Sequence, residues 1–328
     1  MKRRLAGLVL AAMLTASCAG GGGTGAKPKA DEPVPLTVGT LAISATAPLE
    51  LARREGYFAD EGLKVSLKYI ESPAAVPSVM SGAMQFAWLS APAVLVARDN
   101  GVPVVSVADG VTIAPRGATG VDLDTYQINL LTKTGGPIRS PKDLEGRKVG
   151  VNAFFQLPDL SVRNALRESG VDVSKIEFIE VPMPQMGAAL DAGRIDAANA
   201  SEPFVTLMTS SKKAQVLLSA GVGQEIGTPQ SVLVSSEKYL KGNPEVVKAF
   251  QRAVDKATRY AADHPDEVRA IVPTYTTMPP EAAAKIRLGS YGGESDRAGW
   301  EKWADILKKE DVLKKEPDVG KAFVEPTG

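Results

Sequence analysis

From residue 36 onward the chain alternates short apolar runs with helix-spaced patterns. Residues 36–42 read as a strand, and helical spacing over 48–55 stops at Gly56. Over 64–70 (KVSLKYI), Val65, Leu67 and Tyr69 alternate with Lys64, Ser66 and Lys68, the period of a strand with one wet face. A short helix ending at Gly82, a buried strand over 84–89 (MQFAWL), a helix over 92–100 stopped by Gly101 and a strand in VPVVSV follow. Strands alternating with crossover helices predict an α/β fold with mostly parallel sheets. From Glu237 the pattern is helical. Asn243 caps a helix with Pro244 in its first turn and Val247, Phe250, Val254, Ala257 and Ala261 on one face, and Trp300, Trp303 and Ile306 form a later apolar stripe.

The pattern occurs twice. Val38-Gly39 returns as Val149-Gly150, Pro73 as Pro184, Gly82 as Gly193, Ser90 as Ser201 and Pro92 as Pro203, all at an offset of 111. Helix stop, strand and Ser-x-Pro coincide in SGAMQFAWLSAP (81–92) and AGRIDAANASEP (192–203). Two similar lobes are therefore expected: residues 36–125 plus 231–328, with the C-terminal helices, and residues 126–230. The two crossings between them fall near 121–130 (VDLDTYQINL) and 228–234 (TPQSVLV), both with strand character.

Ahead of this stands a different kind of sequence. Lys2, Arg3 and Arg4 precede an apolar run over 5–14, and small residues lead to Cys18, the chain's one cysteine. The run is too short to span a bilayer, which takes about 20 residues, and reads as a signal peptide over 1–17. The leader resembles that of bacterial lipoproteins, in which the cysteine is lipidated after cleavage; Thr15 departs from the usual Leu. Residues 18–35, rich in glycine and charge, lack the apolar surface to fold and are expected to be a flexible tether.

Charge and chemistry narrow the function by exclusion. The 38 basic and 38 acidic residues balance, without the basic clusters a nucleic-acid partner needs. A single cysteine leaves no disulfide to form. No Cys/His spacing makes a metal site, no G-x-S-x-G is present, and the glycines of GVGQEIG (221–227) are misspaced for a dinucleotide turn. Neither a catalytic residue, a metal nor a cofactor is expected. The one histidine, His264, lies at the end of a long helix, where it suits the helix dipole. Asp60-Glu61, Glu237 and Asp266-Glu267 read as solvated helix starts and turns.

APLELARREGYFADEGLKVSL, SGAMQFAWLSAPAVLVARDNGVPVVSVA, SPKDLEGRKVGV, GAALDAGRIDAANASEPF and SSEKYLKGNPEVVKAF resemble, in order, the nitrate, sulfonate, taurine and pyrimidine-precursor binding proteins of ABC importers. The resemblance covers most of 36–290. It implies a type II periplasmic-binding-protein fold, with two lobes joined by two crossover strands and a ligand cleft between them. It further implies an extracytoplasmic, lipid-anchored monomer that hands a small molecule to ABC permease subunits. Two other readings stay open: a pyrimidine-forming enzyme of the same fold, whose histidine and cysteine cluster this chain lacks, and a sensory or partner-docking lipoprotein.

In such a fold the ligand contacts come from loops at strand carboxyl ends, where helix N-termini open on the crevice. Those loops supply Ser44 and Thr46, Trp88 and Ser90, Asn152, Phe154, Phe155 and Gln156, and Ser201 with Glu202. The hydroxyls serve equally as helix caps, and Trp88 equally as core. Adjacent Phe154 and Phe155 cannot both point inward, so one is expected to face the cleft. Glu202, whose counterpart in the first copy is Ala91, either complements a helix dipole or faces the cleft. The second option favours an amine-bearing or nitrogen-heterocyclic ligand. Hinge motion is expected near 125–127 and 228–230.

Overall fold

A computed structural model describes residues 32–324 except 115–117, 121, 125, 225 and 316. The expected signal peptide, Cys18 and most of the tether lie outside the described residues. Among those described, no helix is long and apolar enough to cross a membrane.

Ten strands form two five-stranded sheets among the described residues. The first lobe holds β1 (Val34–Thr40), β2 (Leu63–Tyr69), β3 (Phe86–Ser90) and β4 (Val104–Thr112). The second holds β5 (Ile128–Lys133), β6 (Lys148–Val151), β7 (Glu177–Glu180), β8 (Ala197–Ser201) and β9 (Ala214–Ser219); β10 (Pro229–Ser236) returns to the first. Their orders are β2-β1-β3-β10-β4 and β7-β6-β8-β5-β9. In each sheet the first three strands run parallel, while the fourth is antiparallel to both neighbours. The reversed strands are the two that follow a crossing: the chain leaves β4 to become β5 and leaves β9 to become β10.

The repeat extends to register. Val38 and Gly39 pair with Phe86 and Ala87, and Val149 and Gly150 pair with Ala197 and Ala198, each partner 111 residues further on. A Cβ on Gly39 would stand 2.6 Å from Met84 Sδ, and one on Gly150 would stand 2.7 Å from Ile195 Cδ1, another pair at the same offset. Both copies use glycine where the residue entering the next strand crosses over the first.

The helical reading of the C-terminal region holds. Val247, Phe250, Val254, Ala257 and Ala261 are buried on the Pro244–Asp263 helix, with Phe250 stacked on Phe86 at 3.8 Å. Trp300 and Trp303 are fully buried on the Arg297–Lys309 helix, and Trp303 Nε1 donates to Pro229 O at 2.6 Å. Asn243 departs from expectation. It occupies the cap position, but its side chain makes no bond to the helix that follows; its Nδ2 donates back to Tyr239 O of the preceding helix at 3.1 Å.

Candidate functional site

The loops that follow β1, β3, β6 and β8 converge on a cavity of about 100 Å3 between the sheets. Proline punctuates two of them. Pro92 stands in the first turn of the Ala91–Asp99 helix, which follows β3 directly and whose cap residue Ser90 lines the cavity, and Pro158 stands in the first turn of the Leu157–Glu168 helix, which follows β6 after the loop 152–156 and lines the cavity with Leu157 and Pro158. Of the residues expected from sequence, Trp88, Ser90, Asn152, Gln156 and Ser201 line it.

Gln156 joins the lobes. Its Oε1 accepts from Ser90 Oγ at 2.7 Å and Ser72 Oγ at 3.3 Å, both in the first lobe. Trp88 is core and wall together. It is 4% exposed and borders the cavity, and its ring lies where a Cβ on Gly110 would come within 2.4 Å of it.

Four expected contacts point elsewhere. Thr46 Oγ1 donates to Leu41 O and Ile43 O at 2.8 and 2.9 Å, closing its own loop, and Ser44 N donates to Glu202 O at 3.1 Å. Both are buried outside the cavity lining, which takes Leu41, Ile43 and Ala45 from this segment instead. Phe154 and Phe155 are 38% and 42% exposed and neither lines the cavity. The cause is the backbone. Phe154 N donates to Glu180 Oε1 at 2.7 Å and Phe155 N to Asp159 Oδ2 at 2.8 Å, and Phe155 takes φ +58°. The loop is held by two carboxylates with its rings turned outward.

Glu202 is also outside the lining. Fully buried, it accepts from Thr206 N (3.0 Å), Thr206 Oγ1 (2.9 Å) and Arg287 N (3.2 Å), with Arg287 Nη1 at 3.6 Å. It serves the start of the Phe204–Ser210 helix and ties it to the C-terminal segment. Burial pushes its carboxyl up from the ordinary value, against the hydrogen bonds from Arg287 and Thr206. The case for an amine ligand built on this carboxylate therefore falls.

Sequence reading missed Ser72, Gln127, Met183 and Ser231, which border the cavity. Gln127 and Ser231 belong to the crossing segments, and their place beside both lobes is the signal that could have found them. Gln127 Nε2 donates to Gln230 Oε1 at 3.3 Å, linking the two crossings. His264 is remote: its Nδ1 lies 2.9 Å from Tyr260 O and its ring stacks on Tyr260. Among the described residues no group of three or more His, Cys, Asp or Glu is disposed to hold a metal. Four larger hollows, of about 280, 450, 510 and 550 Å3, are bordered by none of Ser90, Asn152, Gln156 and Ser201.

Comparison with known proteins agrees with this architecture. A family model described as NMT1/THI5 like matches residues 44–268. The formylaminopyrimidine-binding protein of Halalkalibacterium halodurans is 27% identical over 280 residues, covering 83% of this chain and 78% of that protein. A 4-amino-5-hydroxymethyl-2-methylpyrimidine phosphate synthase of Aspergillus parasiticus is 25% identical over 231 residues, 67% of this chain and 64% of the synthase. The alkanesulfonate-binding protein SsuA from Xanthomonas axonopodis pv. citri, solved with MOPS bound, superposes with a TM-score of 0.73 at 18% identity, covering 90% of this chain and 99% of that one. That last likeness is one of fold.

Proposed function

The chain belongs to the NMT1/THI5-like family, and from that premise we propose that it is an extracytoplasmic solute-binding lipoprotein. It takes a small organic molecule into the cavity between its lobes and delivers it, chemically unchanged, to the permease of an ABC-type importer. The observation that carries this reading is a cavity walled by both lobes and bridged by Gln156, which accepts from Ser90 and Ser72 across the boundary. A guest touching both walls binds the closed arrangement better than the open one, and that difference is what shifts the equilibrium toward closure. Among the described residues the chain crosses between sheets only between β4 and β5 and between β9 and β10, so the hinge is assigned to 126–127 and 228–230; Thr125 lies outside the described residues. A lipid on Cys18 and the tether over 18–35 would keep the protein, as a monomer, at the outer face of the membrane beside its permease.

The similarity to a synthase favours a second reading, an enzyme acting on a pyrimidine precursor in the same cavity. Against it, the one histidine, His264, borders no part of that cavity. Small-angle scattering with and without a bound molecule tests the carrier reading. Compaction on binding, with the molecule recovered unaltered, is expected; binding without compaction counts against it.

A further inference from the structure

Resting on the reading of this cavity as a solute site, we infer that Tyr275 and Tyr291 are positioning residues of that site. From outside the cavity their hydroxyls fix the loop after β1, so that it gives Leu41, Ile43 and Ala45 to the cavity wall and the Ser44 amide to the second lobe. Neither tyrosine borders the cavity. Tyr275 Oη donates to Ile43 O at 3.0 Å and Tyr291 Oη to Ser44 O at 2.8 Å. Two adjacent carbonyls of the loop are thus held by one C-terminal segment, 232 and 247 residues further along the chain.

The loop needs that support because its other bonds within the first lobe are short in range. Between β1 and the Ala47–Arg54 helix it holds a single turn over Ser44–Thr46. Thr46 Oγ1 donates to Leu41 O and Ile43 O, and Ala47 N to Ser44 O. Bonds between near neighbours shape a turn, but its direction relative to the sheet takes a bond to something distant. The distant groups are well held. Tyr291 is 3% exposed, and the Tyr275 ring stacks on Tyr69 at 5.9 Å with planes 3° apart. Tyr69 Oη donates in turn to Glu50, buried on the Ala47–Arg54 helix. Burial raises both the Tyr275 and Tyr291 phenols above the ordinary tyrosine value, so each stays a donor.

What the positioning delivers lies at the lobe boundary. Ser44 N donates to Glu202 O of the second lobe at 3.1 Å, a second tie beside that of Ser90 to Gln156. The carbonyls of Leu41, Ile43 and Ser44 are each taken by a hydroxyl, and the loop meets the cavity through Leu41, Ile43 and Ala45. A segment that touches no guest therefore sets one wall of the site and one contact of its closed form.

The test is amide hydrogen exchange, read by NMR on the full mature chain without added solute, in the parent, Tyr275→Phe and Tyr291→Phe. Phenylalanine keeps each ring and removes only the hydroxyl. Exchange at the Ser44 amide should accelerate by about two- to tenfold in Tyr291→Phe, the size of one neutral hydrogen bond. The acceleration should be smaller in Tyr275→Phe, because Ile43 O keeps Thr46. The Gly146 amide donates to Lys175 O just before β6, at the strand end away from the cavity, and should exchange at the parent's rate in both variants. A role confined to packing would lower the melting temperature and leave Ser44 unmoved. An unchanged Ser44 rate in Tyr291→Phe, whatever its melting temperature, overturns the inference, and so does equal acceleration at Ser44 and Gly146. Because no solute is present, this result stands apart from the carrier reading, which fails instead if the chain takes no solute or converts one.

Discussion

Gln156 of the second lobe accepts a hydrogen bond from Ser90 of the first at 2.7 Å, so one carboxamide is at once part of the cavity wall and a tie across the boundary. Gln156→Ala removes the tie. With a neutral hydrogen bond worth about 0.5–1.5 kcal/mol, ligand affinity should fall roughly two- to tenfold. Calorimetry on parent and variant measures this. Unchanged affinity would mean that the tie does not belong to the bound form.

Glu202 sits apart from the cavity, and its variants should report on folding rather than binding. Glu202→Ala leaves Thr206 N and Arg287 N without their acceptor, and Thr206 Oγ1 with only Lys285 O at 3.4 Å, and should cost about 1–3 kcal/mol in urea unfolding. Burial raises this carboxyl above its ordinary 4.5, so the folded chain holds the proton more tightly than the unfolded one. Its contribution to stability is therefore greatest below pH 4.5 and declines as pH rises through the raised value. Glu202→Gln, neutral throughout, should lack that decline. The stability difference between the two should drift in the variant's favour as pH increases, and a drift the other way would contradict the assignment. Ligand affinity of Glu202→Gln should match the parent's.

The repeated glycines offer a test of register. Gly150→Ala places a Cβ 2.7 Å from Ile195 Cδ1 and should destabilise by about 1–3 kcal/mol through overpacking. Adding Ile195→Val removes the offending methyl and should recover most of that loss. Thermal unfolding of the single and double variants decides it, and a double variant no more stable than Gly150→Ala would show that the contact is not the cause.

The repeat was legible because its landmarks are backbone necessities. Gly39 and Gly150 are required by close approach to Met84 and Ile195, and Gly82 and Gly193 end helices at positive φ, so the same residue types recur at the same spacing. Strand identity and the parallel core of each sheet followed from period and crossover. Side-chain direction did not, because it was fixed by distant partners. Phe154 and Phe155 face outward because Glu180 and Asp159 hold their amides, and Glu202 turns inward to meet Arg287, 85 residues along the chain. Gln127 and Ser231 were passed over because a crossing strand reads as a connector until its pairing shows which face it gives to the cavity.

Lipidation at Cys18 rests on the leader alone and has its own test. Mass spectrometry of the N-terminal peptide from native membranes should find a chain beginning at Cys18 and carrying acyl groups. Two acyl chains give stable anchoring where one is marginal. An unmodified peptide beginning elsewhere would contradict it.

The carrier reading is tested most directly by releasing what the protein holds. Protein purified gently from its own cells is denatured, and the small molecules set free are identified and counted by mass spectrometry, then returned to refolded chain. The expected result is one small organic molecule, near one per chain, that rebinds, compacts the protein in scattering and is recovered unchanged. A molecule converted to a different compound on rebinding, or a chain that carries none and takes none from cell extract, would contradict it.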